Sequence, residues 1–290
     1  MTEHASHISH GKGVIRTRHH EWYSQRWGNV GPRILLIHGT GASTDSWKPL
    51  CHELMSETQL IAIDLPGHGK SRRPLAGKSS LEACVNGLKE LCGKTELIPD
   101  LIVGHSAGAA IAVELAQTLS PRIPVVCINA AFGQFPGIAG VLFPYIAKIA
   151  SALPFTADVL SRAAQDTGRT AKILKGTGSH ITEEMLDTYS TLFQNRQHVQ
   201  GTLQLMADWD LDRFLRTLGT VDNTVTFICG EDDKTVSAAV SHKWSTRMRH
   251  ATLHQCSGYG HLIHEEAPEQ IAEVLRRVLS QSYCSESDTI

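Results

Sequence analysis

The chain has 290 residues, and its 27 lysines and arginines against 29 aspartates and glutamates leave a formal charge of −2. That balance excludes a protein devoted to gripping nucleic-acid phosphates, which needs a basic surface. Hydrophobic residues make up 41%, enough for the core of one large α/β domain or two small ones, so wholesale disorder is excluded as well.

The N-terminal stretch 1–13 is polar and has no apolar core of signal-peptide length. It carries His4, His7 and His10 at a spacing of three and reads as a solvated leader. The seven cysteines (51, 84, 92, 127, 229, 256 and 284) include no C-x-x-C pair. Cys127 and Cys229 lie inside apolar runs, where a thiol behaves as a small hydrophobe. Free thiols in a reducing, cytoplasmic compartment are expected.

Residues 22–27 alternate weakly and end at Gly28-Asn29, which suggests a strand before a turn. From residue 33 a rhythm sets in. ILLIHG (34–39), LIAIDLPG (60–67), LIVGHS (101–106), VVCINA (125–130) and VTFICG (225–230) are short unalternating apolar runs. Such runs fit strands buried on both faces, as in a parallel sheet covered by helices. Helical spacing appears between and after them at 81–91, 107–119, 236–248 and 271–279, with a further strand at 252–257. The alternation predicts a mostly parallel, doubly wound α/β sheet.

Between 132 and 221 the rhythm breaks for too long a stretch to be a simple loop. Helical patterns at 183–193 and 198–209 make this a helical cap inserted into a core formed by 14–131 and 222–280, with 281–290 as a flexible tail. Within it, 138–155 carries only Lys148 as a charge and is interrupted by Gly140, Pro144 and Pro154. A cap helix is therefore expected there, not a membrane span.

The chemistry gathers at the carboxyl ends of the runs. Gly104-His105-Ser106-Ala107-Gly108 is a G-x-S-x-G motif between a strand and a helix, the context in which a serine sits on a tight turn with its hydroxyl exposed above the sheet. Its base and acid are expected later in the chain. Gly230-Glu231-Asp232-Asp233 follows one strand and Gly260-His261 follows another. His261 is the candidate base, with His264 as rival; Asp233 is the candidate orienting acid, with Asp232 as rival. His38-Gly39-Thr40-Gly41 follows the strand ILLI, so the backbone N–H groups of Thr40 and Ala107 are candidate donors to a tetrahedral oxyanion. Asp64-Leu65-Pro66-Gly67-His68-Gly69 reads as a structural turn. Histidines 38, 68, 105 and 261 share one sheet edge without metal-ligand spacing, and no metal or cofactor is expected. Phe132, Phe135, Phe143, Tyr145 and Trp209 are the candidate residues of an apolar substrate pocket under the cap.

The nucleophile motif, the HG loop, the DLPGHG turn and the late Asp and His together resemble the α/β-hydrolase superfamily over about residues 14–280. More narrowly, HGTGASTDSW (38–47), GHSAGAAIA (104–112), INAAFGQFPG (128–137), GTGS (176–179) and HVQGTLQLMADWDL (198–211) are similar to the magnesium-chelatase accessory hydrolases of bacteriochlorophyll biosynthesis. The resemblance implies an α/β-hydrolase fold with a cap, a role around magnesium insertion into a porphyrin, and contact with magnesium chelatase.

The expected activity is a serine hydrolase acting on an ester or similar acyl bond of a bulky hydrophobic substrate, with a porphyrin as one candidate. Serine at the elbow argues against haloalkane and epoxide hydrolysis, which use a carboxylate nucleophile on this fold. Two alternatives stay open: hydrolysis of a carbon–carbon bond in a ring-cleavage product, and a non-catalytic porphyrin-binding or chelatase-assisting role on the same fold.

Overall fold

In the computed structural model, the described residues are 11–72, 78–133, 153 and 155–287. The apolar runs are all strands: β3 (Arg33–Ile37), β4 (Gln59–Ile63), β5 (Leu101–His105), β6 (Val125–Ile128) and β7 (Val225–Gly230), followed by β8 (Ala251–Cys256). Ahead of them stand β1 (Gly11–Arg16) and β2 (Glu21–Trp27). The eight strands form one sheet in the order β1-β2-β4-β3-β5-β6-β7-β8. β2 runs antiparallel to β1 and β4, and every other pairing is parallel.

Two differences from the sequence reading concern the ends. β1 starts at Gly11, inside the expected leader, because Gly11 and Lys12 pair with Arg26 and Gln25. The C-terminal helix Pro268–Ser287 runs on through 281–287, into the expected tail.

Strand residues alternate between two cores, one on each face. Leu35, Ile37, Ile61, Ile63, Ile102, Cys127 and Phe227 pack with α2 (Leu81–Thr95) and α3 (Ala107–Leu119). Ile34, Leu36, Leu60, Ala62, Val103, Val126 and Ile228 pack with α1 (Lys48–Leu54) and the C-terminal helix. Burial on both faces explains why these strands read as continuous apolar runs. Each leucine, isoleucine, valine and phenylalanine among them contributes about 1.5–3 kcal/mol when fully buried.

Between β6 and β7 the described chain is helical: α4 (Thr156–Ala163), α5 (Thr167–Lys175), α6 (Glu183–Gln194), α7 (Arg196–Asp208) and α8 (Asp212–Thr217). Local chemistry sets their starts. Asp166, Thr182 and Asn195 cap α5, α6 and α7 through side-chain oxygens that accept from backbone N–H groups of the first turn. The helix α7 lies against the DLPGHG turn so closely that a Cβ on Gly201 would stand 2.2 Å from the Gly67 carbonyl oxygen. Among the described residues, no helix is long and apolar enough to cross a membrane.

Candidate active site

Ser106 is the single residue between β5 and α3, with φ 53° and ψ −117°. A non-glycine residue there is strained by about 1–3 kcal/mol and persists only where its surroundings hold it. Three glycines leave the space. A Cβ on Gly39 would come within 2.8 Å of the Ser106 Cβ, one on Gly104 within 2.3 Å of the Gly108 carbonyl oxygen, and one on Gly108 within 2.2 Å of the Ile37 carbonyl oxygen. Ser106 is the N-cap of α3, yet its side chain makes no cap hydrogen bond. The hydroxyl is thus left for other chemistry at the positive end of a helix.

His261 and Asp233 meet. The imidazole Nδ1–H donates to Asp233 Oδ2 at 2.7 Å, while Asp233 Oδ1 accepts from the backbone N–H of Thr235 at 2.7 Å and of Val236 at 2.8 Å. Both side chains are almost wholly buried. The two rival residues lie elsewhere. Asp232 is exposed, its backbone N–H bonding Tyr259 O. His264 is fully buried, with the Trp47 ring at 4.6 Å and the His105 ring at 4.3 Å, both tilted to its own. Burial depresses its pKa to about 3, so it stays neutral inside the core.

The loop carrying His261 is fixed by several groups, among them Asn129, which the sequence did not single out. Asn129, with φ 44°, follows the end of β6. Its side-chain amide donates to the carbonyls of Gly260 at 3.0 Å and His261 at 2.8 Å, and its Oδ1 accepts from the Gly230 N–H at 2.9 Å. His105 Nε2–H donates to the same His261 carbonyl at 2.9 Å. Burial, with His264 and His261 nearby, holds His105 well below the usual imidazole range. From the helical stretch, the Thr177 carbonyl accepts from the N–H groups of His261 and Lys234, and Ser179 Oγ accepts from the Leu262 N–H at 2.8 Å. The GTGS stretch therefore grips the acid loop and the histidine loop together.

On the other side, Gly39-Thr40-Gly41-Ala42 forms a turn closed by Ala42 N–H to Gly39 O at 3.2 Å, with Gly41 at φ 79°. Glycine with positive φ at the third position is the type II pattern. Thr40 is exposed and Ala107 buried. His38 steadies the turn from beneath: Nδ1–H donates to Gly39 O at 2.7 Å and Nε2 accepts from Leu65 N–H at 2.9 Å. Burial lowers its pKa to about 3.

The DLPGHG turn is built on Asp64, whose Oδ1 accepts from Thr44 N–H at 2.6 Å and Oδ2 from Lys70 N–H at 2.8 Å. Burial outweighs these bonds and raises its pKa to about 6. A cleft of about 310 Å³ beside this turn is lined by Asp45, Asp64, Lys70 and Asp187, among others, and includes none of Ser106, Asp233 or His261. It lies between the turn and helix α6, away from the serine. Among the described residues, no three His, Cys, Asp or Glu side chains converge as metal ligands.

The expected aromatic pocket requires correction at Phe132. It is buried in the core, 5.0 Å from the Phe214 ring and 5.7 Å from the Phe227 ring, and its carbonyl accepts from Trp244 Nε1–H at 2.9 Å. Trp209 is partly buried and packs against the same core. Phe135, Phe143 and Tyr145 lie outside the described residues. Beside the HG loop stands Phe193, whose ring would be 4.0 Å from a Cβ on Gly41.

A strand-to-helix serine on a mixed eight-stranded sheet, with a histidine and an acid at later strand ends, defines a hydrolase architecture. The model of the alpha/beta hydrolase family matches residues 34–274, and the chain belongs to that family. Within it the chain is similar to the Magnesium-chelatase 30 kDa subunit of Rhodobacter capsulatus, with 39% identity over 84% of this chain and 86% of that protein. It is 28% identical to the pimeloyl-[acyl-carrier protein] methyl ester esterase of Xanthomonas campestris over 86% of this chain and 96% of that one. An alpha/beta hydrolase fold protein from Burkholderia ambifaria superposes with a TM-score of 0.75 at 19% identity, covering 94% and 99% of the two chains.

Proposed function

We propose that the chain is a serine hydrolase cleaving an ester or similar acyl bond of a bulky apolar substrate, in the service of magnesium chelation in bacteriochlorophyll biosynthesis. The observation that carries the reading is the 2.7 Å bond from His261 Nδ1 to Asp233 Oδ2, with Ser106 held on its strained turn. In this scheme Ser106 Oγ attacks the acyl carbon as His261 Nε2 takes its proton. Asp233 keeps the imidazole in the Nδ1–H tautomer and stabilises the imidazolium. The oxyanion is received by the N–H groups of Thr40 and Ala107, each worth about 3–4 kcal/mol of barrier. Collapse expels the alcohol, which takes the proton from His261, and water then cleaves the acyl-serine by the same steps in reverse roles. No cofactor takes part.

The helices between β6 and β7 act as a cap over the serine, and the similarity to an acyl-ester esterase supports the bond type. The relative named as a magnesium-chelatase subunit supports a physiological setting in contact with the chelatase; a cytoplasmic location is part of the same proposal. A fluorophosphonate probe tests the reading: Ser106 is labelled in the native protein and the label is lost in Ser106→Ala. Absence of labelling at Ser106 overturns it. The same relative favours a second reading, in which the fold binds a porphyrin and assists the chelatase without turnover. Saturable quenching of tryptophan fluorescence by protoporphyrin, in a protein inert to the probe, is the result that selects it.

A further inference from the structure

We infer that His198 is a positioning residue, through which helix α7 holds the oxyanion turn in the geometry that hydrolysis requires; this rests on the proposed serine hydrolysis. The imidazole is 1% exposed. Its Nε2–H donates to the Gly41 carbonyl at 3.1 Å, and its Nδ1 accepts from the Gly69 N–H at 2.9 Å. One ring thus ties α7 to the HG turn and to the DLPGHG turn, segments 157 and 129 residues away in sequence.

Gly41 is the far corner of the turn whose other central residue is the oxyanion donor Thr40. The near corner, Gly39 O, is held by His38 from the core. Nothing else among the described hydrogen bonds reaches the Gly41 carbonyl. The direction of the Thr40 N–H depends on the plane of this turn, so a bond at its far corner acts on the donor without touching substrate. Displacement of a catalytic group by about 1 Å can cost a factor of about 100.

The ring cannot easily change its bonding. Its surroundings are His68 edge-on at 5.3 Å, Phe193 stacked at 6.3 Å, and His38 within electrostatic reach. Burial and the neighbouring His68 bring its pKa to about 3. A proton on Nδ1 would also face the Gly69 N–H. The neutral Nε2–H tautomer is therefore fixed over the working range of an esterase. Packing continues one turn on, where Gly201 meets Gly67 and the Thr202 methyl lies 3.7 Å from the Cβ position of Gly41.

The test uses three variants of the full chain on one chromogenic ester. His198→Phe keeps the ring and removes both bonds. It should lower kcat by about 10- to 100-fold with KM changed less than about twofold, and weaken inhibition by a boronic acid by the kcat factor. His198→Gln places an amide at the Nε2 level, within reach of Gly41, and should recover most of kcat. His198→Asn places its amide at the Nδ1 level, facing Gly69, and should recover thermal stability but not kcat. If Phe does not fold, the Gln and Asn pair still decides. Equal kcat in the two, or a folded Phe variant with native kcat, overturns the inference. Wild-type protein run alongside with the fluorophosphonate probe separates the failures: an unlabelled Ser106 removes the hydrolase reading and this inference together, whereas a labelled, active wild type with unaffected variants removes this inference alone.

Discussion

The side-chain amide of Asn129 donates to the carbonyl of His261 across 2.8 Å, joining the end of β6 to the loop that presents the imidazole. With its bonds to Gly260 and Gly230, this one residue holds three strand ends in register. Asn129→Ala leaves the Gly260 carbonyl and the Gly230 N–H short of partners in the interior and the His261 carbonyl with His105 alone, at a backbone position that asparagine tolerates better than alanine. Stability should fall by about 2–4 kcal/mol in urea denaturation, and hydrolysis should fall further than the folded fraction does. Native activity in the folded variant would show that His261 needs no such clamp.

Asp233→Asn should lower kcat by about 10⁴-fold, as the matching change does in a well-studied triad, because the amide favours the wrong tautomer. Asp232→Asn should stay near native, since its carboxylate faces solvent. Steady-state kinetics on one ester settles the order, and the reverse order would make Asp232 the acid.

Ser106→Gly should be inactive and more stable than the native chain by about 1 kcal/mol, since glycine accepts φ 53° without strain. Ser106→Ala should be equally inactive with little change in stability. Thermal denaturation beside an esterase assay reads both, and a drop in melting temperature for the glycine variant would mean that the turn stores no strain.

Stability should peak near pH 6.5. His38, His68, His198 and His264 have folded pKa values of about 3 against 6.5 as free groups. Below pH 6.5 the unfolded chain binds protons that the folded one refuses, so stability falls as pH drops from 6.5 toward 3. Glu265 works oppositely. Burial raises it from 4.5 to about 8, outweighing the hydrogen bond that its Oε1 accepts from the Tyr189 hydroxyl at 2.8 Å. The folded chain then keeps a proton the unfolded one has lost, and stability declines from 4.5 up to 8. On the acid side these four histidines and the likewise depressed His105 outweigh Glu265 and Asp64, whose carboxyl is raised to about 6, and of these groups only Glu265 still titrates above 6.5. Urea denaturation from pH 4 to 9 should show this maximum, and Glu265→Gln should flatten the alkaline limb and steepen the acid limb above pH 4.5.

The parallel strands were legible because burial on both faces leaves unbroken apolar runs such as ILLI and LIVG. β1 was not, because GKGVIR is an exposed edge strand with two glycines and takes its shape from pairing with β2. Ser106, His261 and Asp233 stood out through their place after strand ends. Asn129 and His198 did not, since a single polar residue after a strand or on a helix looks like any other until the chain is folded. The only signal for His198 was its place in the resembling stretch 198–211. Phe132 misled because an aromatic residue at a strand's carboxyl side serves a core and a pocket equally well by sequence.

Strands β6 and β7 lie side by side, yet residues 129–224, about a third of the chain, intervene. Loop closure of that length costs about 2 kcal/mol more than closure of a ten-residue connection, and it must be met before their hydrogen bonds form. During synthesis β1 to β6 can assemble long before β7 emerges, leaving the open edge of β6 exposed to pairing with another chain. The late arrival of β7 and β8, which bring Asp233 and His261, makes completion of the sheet and appearance of the acid–base pair a single event. Activity regained on refolding should therefore track the slowest phase of sheet formation, and aggregation should compete with it before β7 docks.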